Sequence, residues 1–241
     1  MVCSSIDAPS DSSVRALVLA TPDARHDPLE SAIRTRLTNW RVIRMRNPSE
    51  LTVDGLERVR PEFVFFPHWS WRIPDQVWTR FECVIFHMTD VPYGRGGSPL
   101  QNLVVRGHAQ TRLTALRCVA ELDAGPVYLK VPLTLEGTAE QIWSRASVLI
   151  GEMIVRIISE RPVPIEQSGP VVRFDRRRPE DGDISALSHV NDVYNHIRML
   201  DGEGYPRAFA RVGRFRLEFD RAALEDGVVE ARVKIVDTAN E

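Results

Sequence analysis

The sequence predicts an α/β fold: a Rossmann-like, mostly parallel sheet with helices on both faces, followed by a small mixed α+β appendage. Three observations carry that expectation. Short apolar runs of strand length alternate with segments of helical spacing through the first half of the chain. One long amphipathic segment, from about 138 to 160, is closed by Pro162 and Pro164. Beyond it the texture changes to short β-like stretches around a single helix. The expected division is therefore 1–160 and 161–241.

Taken in order, a polar leader of about 13 residues precedes 14–20, which is apolar enough to be a strand buried on both faces. Pro22, Asp23 and Asp27 break it, and Leu29, Ile33 and Leu37 resume at helical spacing. A second short strand is expected at 41–45, a short helix through Leu51, Leu56 and Val59, and a third strand at 63–66. An aromatic loop, Pro67-His68-Trp69-Ser70-Trp71, follows, then a fourth strand at 83–86. Further on, 99–105 reads as helix, 112–121 and 127–133 as a strand pair with Asp-Ala-Gly turn chemistry at 123–125 between them. Thr138 and Gln141 have the form of a capping box ahead of Ile142, Ala146, Leu149, Ile150, Met153, Ile154 and Ile157, a core-helix stripe. In the appendage, strands are expected at 170–176, 212–219 and 227–236, around a helix at 190–200.

Composition narrows the function classes. The apolar fraction is 43% and the charged fraction 27%, which fits a globular chain of 241 residues with one sizeable core. No apolar run is long enough for a membrane span, and the opening residues lack the basic-then-apolar order of a secretory signal. A cytoplasmic protein is expected. Cys3, Cys83 and Cys118 stand apart with no Cys-x-x-Cys pair, so neither a disulfide framework nor a zinc ribbon is suggested. Lys130 and Lys234 are the only lysines among 31 basic residues. Basic and acidic residues number 18 and 18 up to residue 160, and 13 and 15 after it. Neither part has the charge balance of a phosphate-backbone binder.

Ligands of open α/β sheets bind beyond the carboxyl ends of the strands, which directs attention to His68 and His87. The segment 87–102 is the most unusual in the chain, with three glycines and two prolines following directly on a buried-type strand. Such a loop is costly to order and is seldom kept for packing alone. It contains His87, Thr89, Pro92, Arg95, Gly96 and Pro99, and Leu122-Asp123-Ala124-Gly125 lies 36 residues beyond the histidine. In order and spacing these resemble the signature of the folate-dependent formyltransferases. The runs at 65–71, 86–90, 94–102, 177–180 and 197–209 look most like the sugar N-formyltransferases acting on nucleotide-linked 4-amino sugars in the pathways to nonulosonic acids such as pseudaminic acid.

The resemblance covers about residues 60–210 and implies a formyltransferase fold. It further implies N10-formyltetrahydrofolate as the formyl donor and a nucleotide-linked amino sugar as the acceptor, with no nucleic-acid or membrane partner; a homodimer is left open. Through it, His87 is expected as the base or oxyanion stabiliser and Asp123 as the carboxylate that orients it. His68, Trp69 and Ser70 on one side and Cys118, Val119 and Glu121 on the other are expected to hold the folate. Thr89, Arg95, Asn102, Arg178 and Tyr205 are expected on the substrate side, with Arg95 alternatively bracing its own loop and Tyr205 alternatively packing. Arg176-Arg177-Arg178 also reads as a solvated charge run, and Trp69 and Trp71 equally as packed aromatics. The histidines show no ligand-like arrangement, and no metal is expected.

One departure is visible: Ile85 stands where many formyltransferases have an asparagine. The role of that amide falls on His68, Ser70 or Asn102, or is dispensed with. The alternatives are a methionyl-tRNA formyltransferase-like enzyme, which the acidic balance and short length of 161–241 disfavour, and a formyltransferase-fold binding protein that has lost catalysis. Glycinamide ribonucleotide formylation is disfavoured by Ile85.

Overall fold

A computed structural model describes residues 14–22 and 26–240. The polar leader with Cys3, and the breaker Asp23, lie outside the described residues. The chain is mixed α/β and divides into two compact units, Met1–Cys83 and Val84–Glu241.

In the first unit, β1 (Arg15–Ala20) pairs in parallel with β2 (Trp40–Met45) on one side and β3 (Phe63–Phe66) on the other, with Leu17 opposite Val42 and Phe63. Five of the six β1 residues and all four of β3 are buried, as a parallel strand covered on both faces must be. The crossover α1 (Asp27–Arg36) has proline in its first turn, acidic residues at its start and arginines at its end, which suits the helix dipole. Its inner face is Leu29 and Ile33. Arg44 of β2 reaches both Asp27 and Glu30 of this helix. In α2 (Val53–Val59), the Thr52 hydroxyl accepts from the Gly55 N–H at 3.1 Å, a side-chain cap. A one-turn helix, α3 (Asp75–Trp78), follows, which periodicity does not reveal in so short a piece.

In the second unit the pairing is antiparallel, as the turn chemistry at 123–125 predicts for the 112–121 and 127–133 strand pair. β4 (Cys83–His87), which opens at the boundary residue, pairs antiparallel with β6 (Gln110–Arg117), and β6 pairs antiparallel with β7 (Val127–Thr134). For β6 and β7 the reason is the 118–126 connection: a turn of nine residues can only return a strand antiparallel to its neighbour, because a parallel crossover needs a dozen or more. β6 also ends four residues before the expected Glu121. Between β4 and β6 lie β5 (Tyr93–Gly96) and α4 (Pro99–Val105).

The helix α5 (Ala139–Glu160) matches its sequence stripe apart from Leu149, which is half-buried. The Thr138 hydroxyl accepts from the Gln141 N–H while the Gln141 side chain accepts from the Thr138 N–H. Ile142, Ala146, Ile150, Met153, Ile154 and Ile157 are fully buried. After it come β8 (Val172–Phe174), which pairs in parallel with β5, then α6 (Val190–Met199). A small antiparallel sheet closes the chain: β9 (Ala208–Val212), β10 (Phe215–Glu225) and β11 (Val228–Asp237), in the order β11-β10-β9. The expected strand at 212–219 is thus two strands with a turn between them. The 197–209 segment docks on the start of α5: the Glu140 N–H donates to the Asp201 carbonyl at 3.1 Å, and the Arg198 guanidinium donates to the carbonyls of Leu135 and Gly137. Among the described residues no helix is long and apolar enough to cross a membrane.

Candidate active site

His87 is the last residue of β4, and the antiparallel register sets it opposite Thr114. Its strand position, not a loop beyond the strand, fixes its backbone. His87 is 8% exposed, and Asp123, brought from the turn after β6, is 7% exposed. The imidazole Nδ1 lies 3.6 Å from Asp123 Oδ1. The other ring nitrogen, Nε2, is 2.8 Å from the Gly94 carbonyl oxygen. A carbonyl only accepts, so Nε2 carries a proton. In the neutral ring Nδ1 then holds the lone pair and faces the carboxylate. A proton arriving at Nδ1 would therefore meet an anion already in place.

Each partner of His87 is held in turn. Gly94 has φ +77, and a Cβ there would come 2.7 Å from Thr89 Cγ2 and 2.8 Å from Phe174 Cε2, so only glycine lets this carbonyl approach the ring. Thr89 is completely buried; its hydroxyl donates to the same Gly94 carbonyl at 3.3 Å, and its own carbonyl accepts from Thr114 Oγ1 at 2.7 Å. Asp123 sits at φ +54, a left-handed conformation that aspartate tolerates better than most residues. Its Oδ2 accepts from the Gly96 N–H at 3.0 Å, tying the turn to β5.

A residue that sequence reasoning does not single out completes this frame. Gln167, in the linker after α5, donates through Nε2 to the carbonyls of Asp123 and Gly125, both at 2.8 Å. Its Oε1 accepts from Arg95 Nε at 3.1 Å and Nη2 at 2.8 Å. The linker is anchored two residues earlier by paired backbone hydrogen bonds between Ile165 and Val127. No local pattern marks this glutamine, because its role exists only once 95, 123 and 167 are brought together.

The other expected site residues fall into distinct surroundings. Arg95 is 7% exposed, and its guanidinium is committed to Gln167 and, at 3.2 Å, to Glu121 Oε1, which also pairs with Arg173; this is the bracing alternative. Asn102 donates to the carbonyls of Gly97, Ser98 and Asp175 at 2.9–3.1 Å and accepts from Arg106 at 2.8 Å, so it too braces the loop. Cys118 and Val119 are half-buried, and Glu121 is exposed, in the run that leaves β6. Arg178 is exposed, with its N–H donating to Asp181 Oδ2 at 2.7 Å. The Tyr205 hydroxyl accepts from Trp143 Nε1 at 2.8 Å, packing the C-terminal segment on α5.

In the first unit, His68 follows β3 at φ +54 and stacks on His26 with ring centroids 4.6 Å apart. Trp69 is half-buried, edge-on to Phe66 and to Trp71, and Ser70 is exposed.

Comparison with known proteins bears on this constellation. Residues 179–236 match a family model described as "Methionyl-tRNA formyltransferase, C-terminal domain". The chain is 30% identical over 133 residues to the methionyl-tRNA formyltransferase of Gluconobacter oxydans, which is 54% of this chain and 43% of that protein. The chain thus spans well under two thirds of that relative's length. A solved structure, the methionyl-tRNA formyltransferase from Clostridium thermocellum, superposes with a TM-score of 0.89 at 41% identity, covering 92% of this chain and 99% of that one. Two more distant structures share the fold alone. HypX from Aquifex aeolicus in complex with tetrahydrofolic acid has a TM-score of 0.72 at 16% identity, over 95% of this chain and 47% of that one. A sugar N-formyltransferase from Shewanella sp. has 0.65 at 10% identity, over 92% and 99%. With a buried histidine–aspartate pair whose members open the signature segment and sit in the turn after β6, and a relative 41% identical along nearly its whole length, the chain belongs to the formyltransferase family.

Proposed function

We propose that this chain transfers the formyl group of N10-formyltetrahydrofolate to the amino group of a nucleotide-linked amino sugar. The observation that carries formyl transfer is the buried pair of His87 Nδ1 and Asp123 Oδ1 at 3.6 Å, with Nε2 tied to the Gly94 carbonyl. Formyltransferases draw on N10-formyltetrahydrofolate, and one structural neighbour holds tetrahydrofolate. The run 118–122 suits such a ligand: it has left the β6 ladder, is half-buried to exposed, and leads straight into Asp123.

The chain's own part in the reaction follows from the tautomer. The acceptor nitrogen forms its bond to the formyl carbon and must shed a proton. His87 Nδ1 has the lone pair to receive it, and Asp123 stabilises the imidazolium that results. The same proton then passes to the folate nitrogen as its bond to the formyl carbon breaks. Arg95, Gln167 and Gly96 keep the carboxylate in place meanwhile.

The acceptor is argued from charge. Arg207 pairs with Asp201, Arg214 with Asp237, Arg216 and Lys234 with Glu218, and Arg232 with Asp220. Most basic side chains in and around the C-terminal sheet are thus matched by carboxylates of the same region, with Arg211 and Arg221 the exceptions. A surface that neutralises successive phosphates needs unmatched cations, so this one favours a small acceptor over a polynucleotide. A second reading, methionyl-tRNA as acceptor, is favoured by the family-model match and by the Clostridium thermocellum relative.

The test supplies the formyl donor with UDP-, dTDP- and CMP-linked amino sugars in separate reactions, and with methionyl-tRNA in another, and weighs the products. A sugar heavier by one carbonyl group supports the reading, and formylated methionyl-tRNA as sole product replaces it with the second. Folate binding with no product would mark a module that has lost catalysis. His87→Asn and Asp123→Ala should each lower turnover by about 10²-fold or more; near-normal rates in both defeat the catalytic assignment.

A further inference from the structure

We infer that Gln167 is a positioning residue that sets the distance between Asp123 and His87, and that it does so as the shared link between the signature loop and the aspartate turn. This rests on the formyl-transfer reading only for its kinetic readout. Both N–H groups of the Gln167 amide are used on the turn, one on the Asp123 carbonyl and one on the Gly125 carbonyl, each at 2.8 Å. Its oxygen takes two N–H groups from Arg95, a residue of β5. The Gly96 N–H, one residue further along β5, holds Asp123 Oδ2 at 3.0 Å. Asp123 is therefore clamped twice to the same strand: through its side chain by Gly96, and through its main chain by Gln167 and Arg95. That strand also presents the Gly94 carbonyl that fixes the His87 ring. One glutamine thus references both members of the pair to a single element.

The turn has backbone bonds of its own, from the Ala124 N–H to the Glu121 carbonyl at 3.3 Å and from the Arg117 N–H to the Pro126 carbonyl at 2.8 Å, but neither holds Asp123 against His87. Asp123 occupies a left-handed conformation that residues with a Cβ seldom adopt, although aspartate does so more readily than most. At 3.6 Å the contact with Nδ1 is longer than a hydrogen bond, so no bond between the two side chains holds them at that spacing. Without the amide, the Asp123 and Gly125 carbonyls lose their shared donor, and Arg95 keeps only Glu121 as an acceptor. The turn then relaxes away from His87.

Gln167 is half-buried, so Gln167→Met keeps its length and should fold. The variant is expected to lower kcat by about 10- to 100-fold, since a displacement near 1 Å can cost that much, while KM for the formyl donor changes less than about twofold. In an Asp123→Ala background the same substitution should cost nothing more, because the residue it positions is gone. An equal loss in both backgrounds would assign Gln167 a general structural role and overturn the inference, as would wild-type kcat in the single variant. The imidazole ¹⁵N resonances of His87 in the ligand-free protein give a readout without turnover. Gln167→Met should shift them in the direction that Asp123→Ala does, and unshifted resonances overturn the inference. A wild-type protein that transfers no formyl group would sink the functional reading while leaving this measurement decisive.

Discussion

Gly125→Ala is the sharpest mechanical probe of the aspartate turn. A Cβ built on Gly125 would lie 1.8 Å from the Arg117 carbonyl oxygen and 2.9 Å from its carbon, backbone atoms that cannot swing aside as a side chain can. Since Cβ atoms do not approach such atoms within 3.0 Å, the turn and the end of β6 must separate by about 1.2 Å at least. Gly125 is two residues from Asp123 and shares the Gln167 amide with it, so most of that displacement reaches the carboxylate. A misplacement of about 1 Å corresponds to roughly 100-fold in rate, or about 2.7 kcal/mol of barrier. Overpacking also costs about 2 kcal/mol of stability, near 4–8 °C in Tm for a chain of this size. The assay is single-turnover formyl transfer beside a thermal melt. Gly107→Ala is the control: Gly107 has φ +76 but open space around it, so alanine there should cost about 1 kcal/mol and leave the rate alone. If Gly125→Ala turns over like wild type, the turn does not set the catalytic geometry and the reasoning fails.

Ile154→Ala, in the fully buried stripe of α5, should cost about 3 kcal/mol and lower Tm by roughly 6–12 °C, with the rate per folded molecule unchanged; a melt within 1–2 °C of wild type would deny that this face is core. His196 should make stability fall on mild acidification. Burial pushes its pKa below the ordinary value, the Arg177 charge adds to this, and the Asp192 carbonyl accepting from Nδ1 opposes it. Below about pH 6.5 the unfolded chain therefore takes up the proton more readily than the fold does, so the contribution is complete above that pH and declines as pH falls toward the folded value. His196→Gln should flatten the difference in Tm between about pH 7.5 and about pH 5.5 relative to wild type, and an unchanged difference would contradict it.

What the sequence discloses of this fold depends on how local the cause is. β1, β3 and β4 are legible because a buried strand must be apolar at nearly every position, and α5 because its cap and stripe agree. β5 is hidden: Tyr-Gly-Arg-Gly has the composition of a loop, and it becomes a strand only by pairing with β8, nearly eighty residues away. Gly96 explains the composition, since a Cβ there would fall 2.4 Å from the Phe174 carbonyl oxygen of that partner. The site shows the same division. Motif and spacing point to His87 and Asp123, which the fold brings within 3.6 Å, whereas a motif marks Arg95, Thr89 and Asn102 without distinguishing contact with a ligand from support of the loop. Their burial and saturated hydrogen bonds make that distinction, and it depends on neighbours that sequence distance conceals.

Ile85 brings these points to bear on chemistry. Side chains alternate across a strand, so Ile85 and His87 share one face of β4, and an asparagine amide at 85 would flank the imidazole about 7 Å along the strand. Isoleucine cannot donate a hydrogen bond to a developing oxyanion, and Asn102, one expected substitute, has its amide spent on Gly97, Ser98 and Asp175. A site of this kind leans on the histidine–carboxylate pair more heavily than one with a third polar member, and its tolerance for error in their spacing is correspondingly small. That is consistent with a frame in which Gly96, Gln167 and Arg95 all act on the position of one carboxylate.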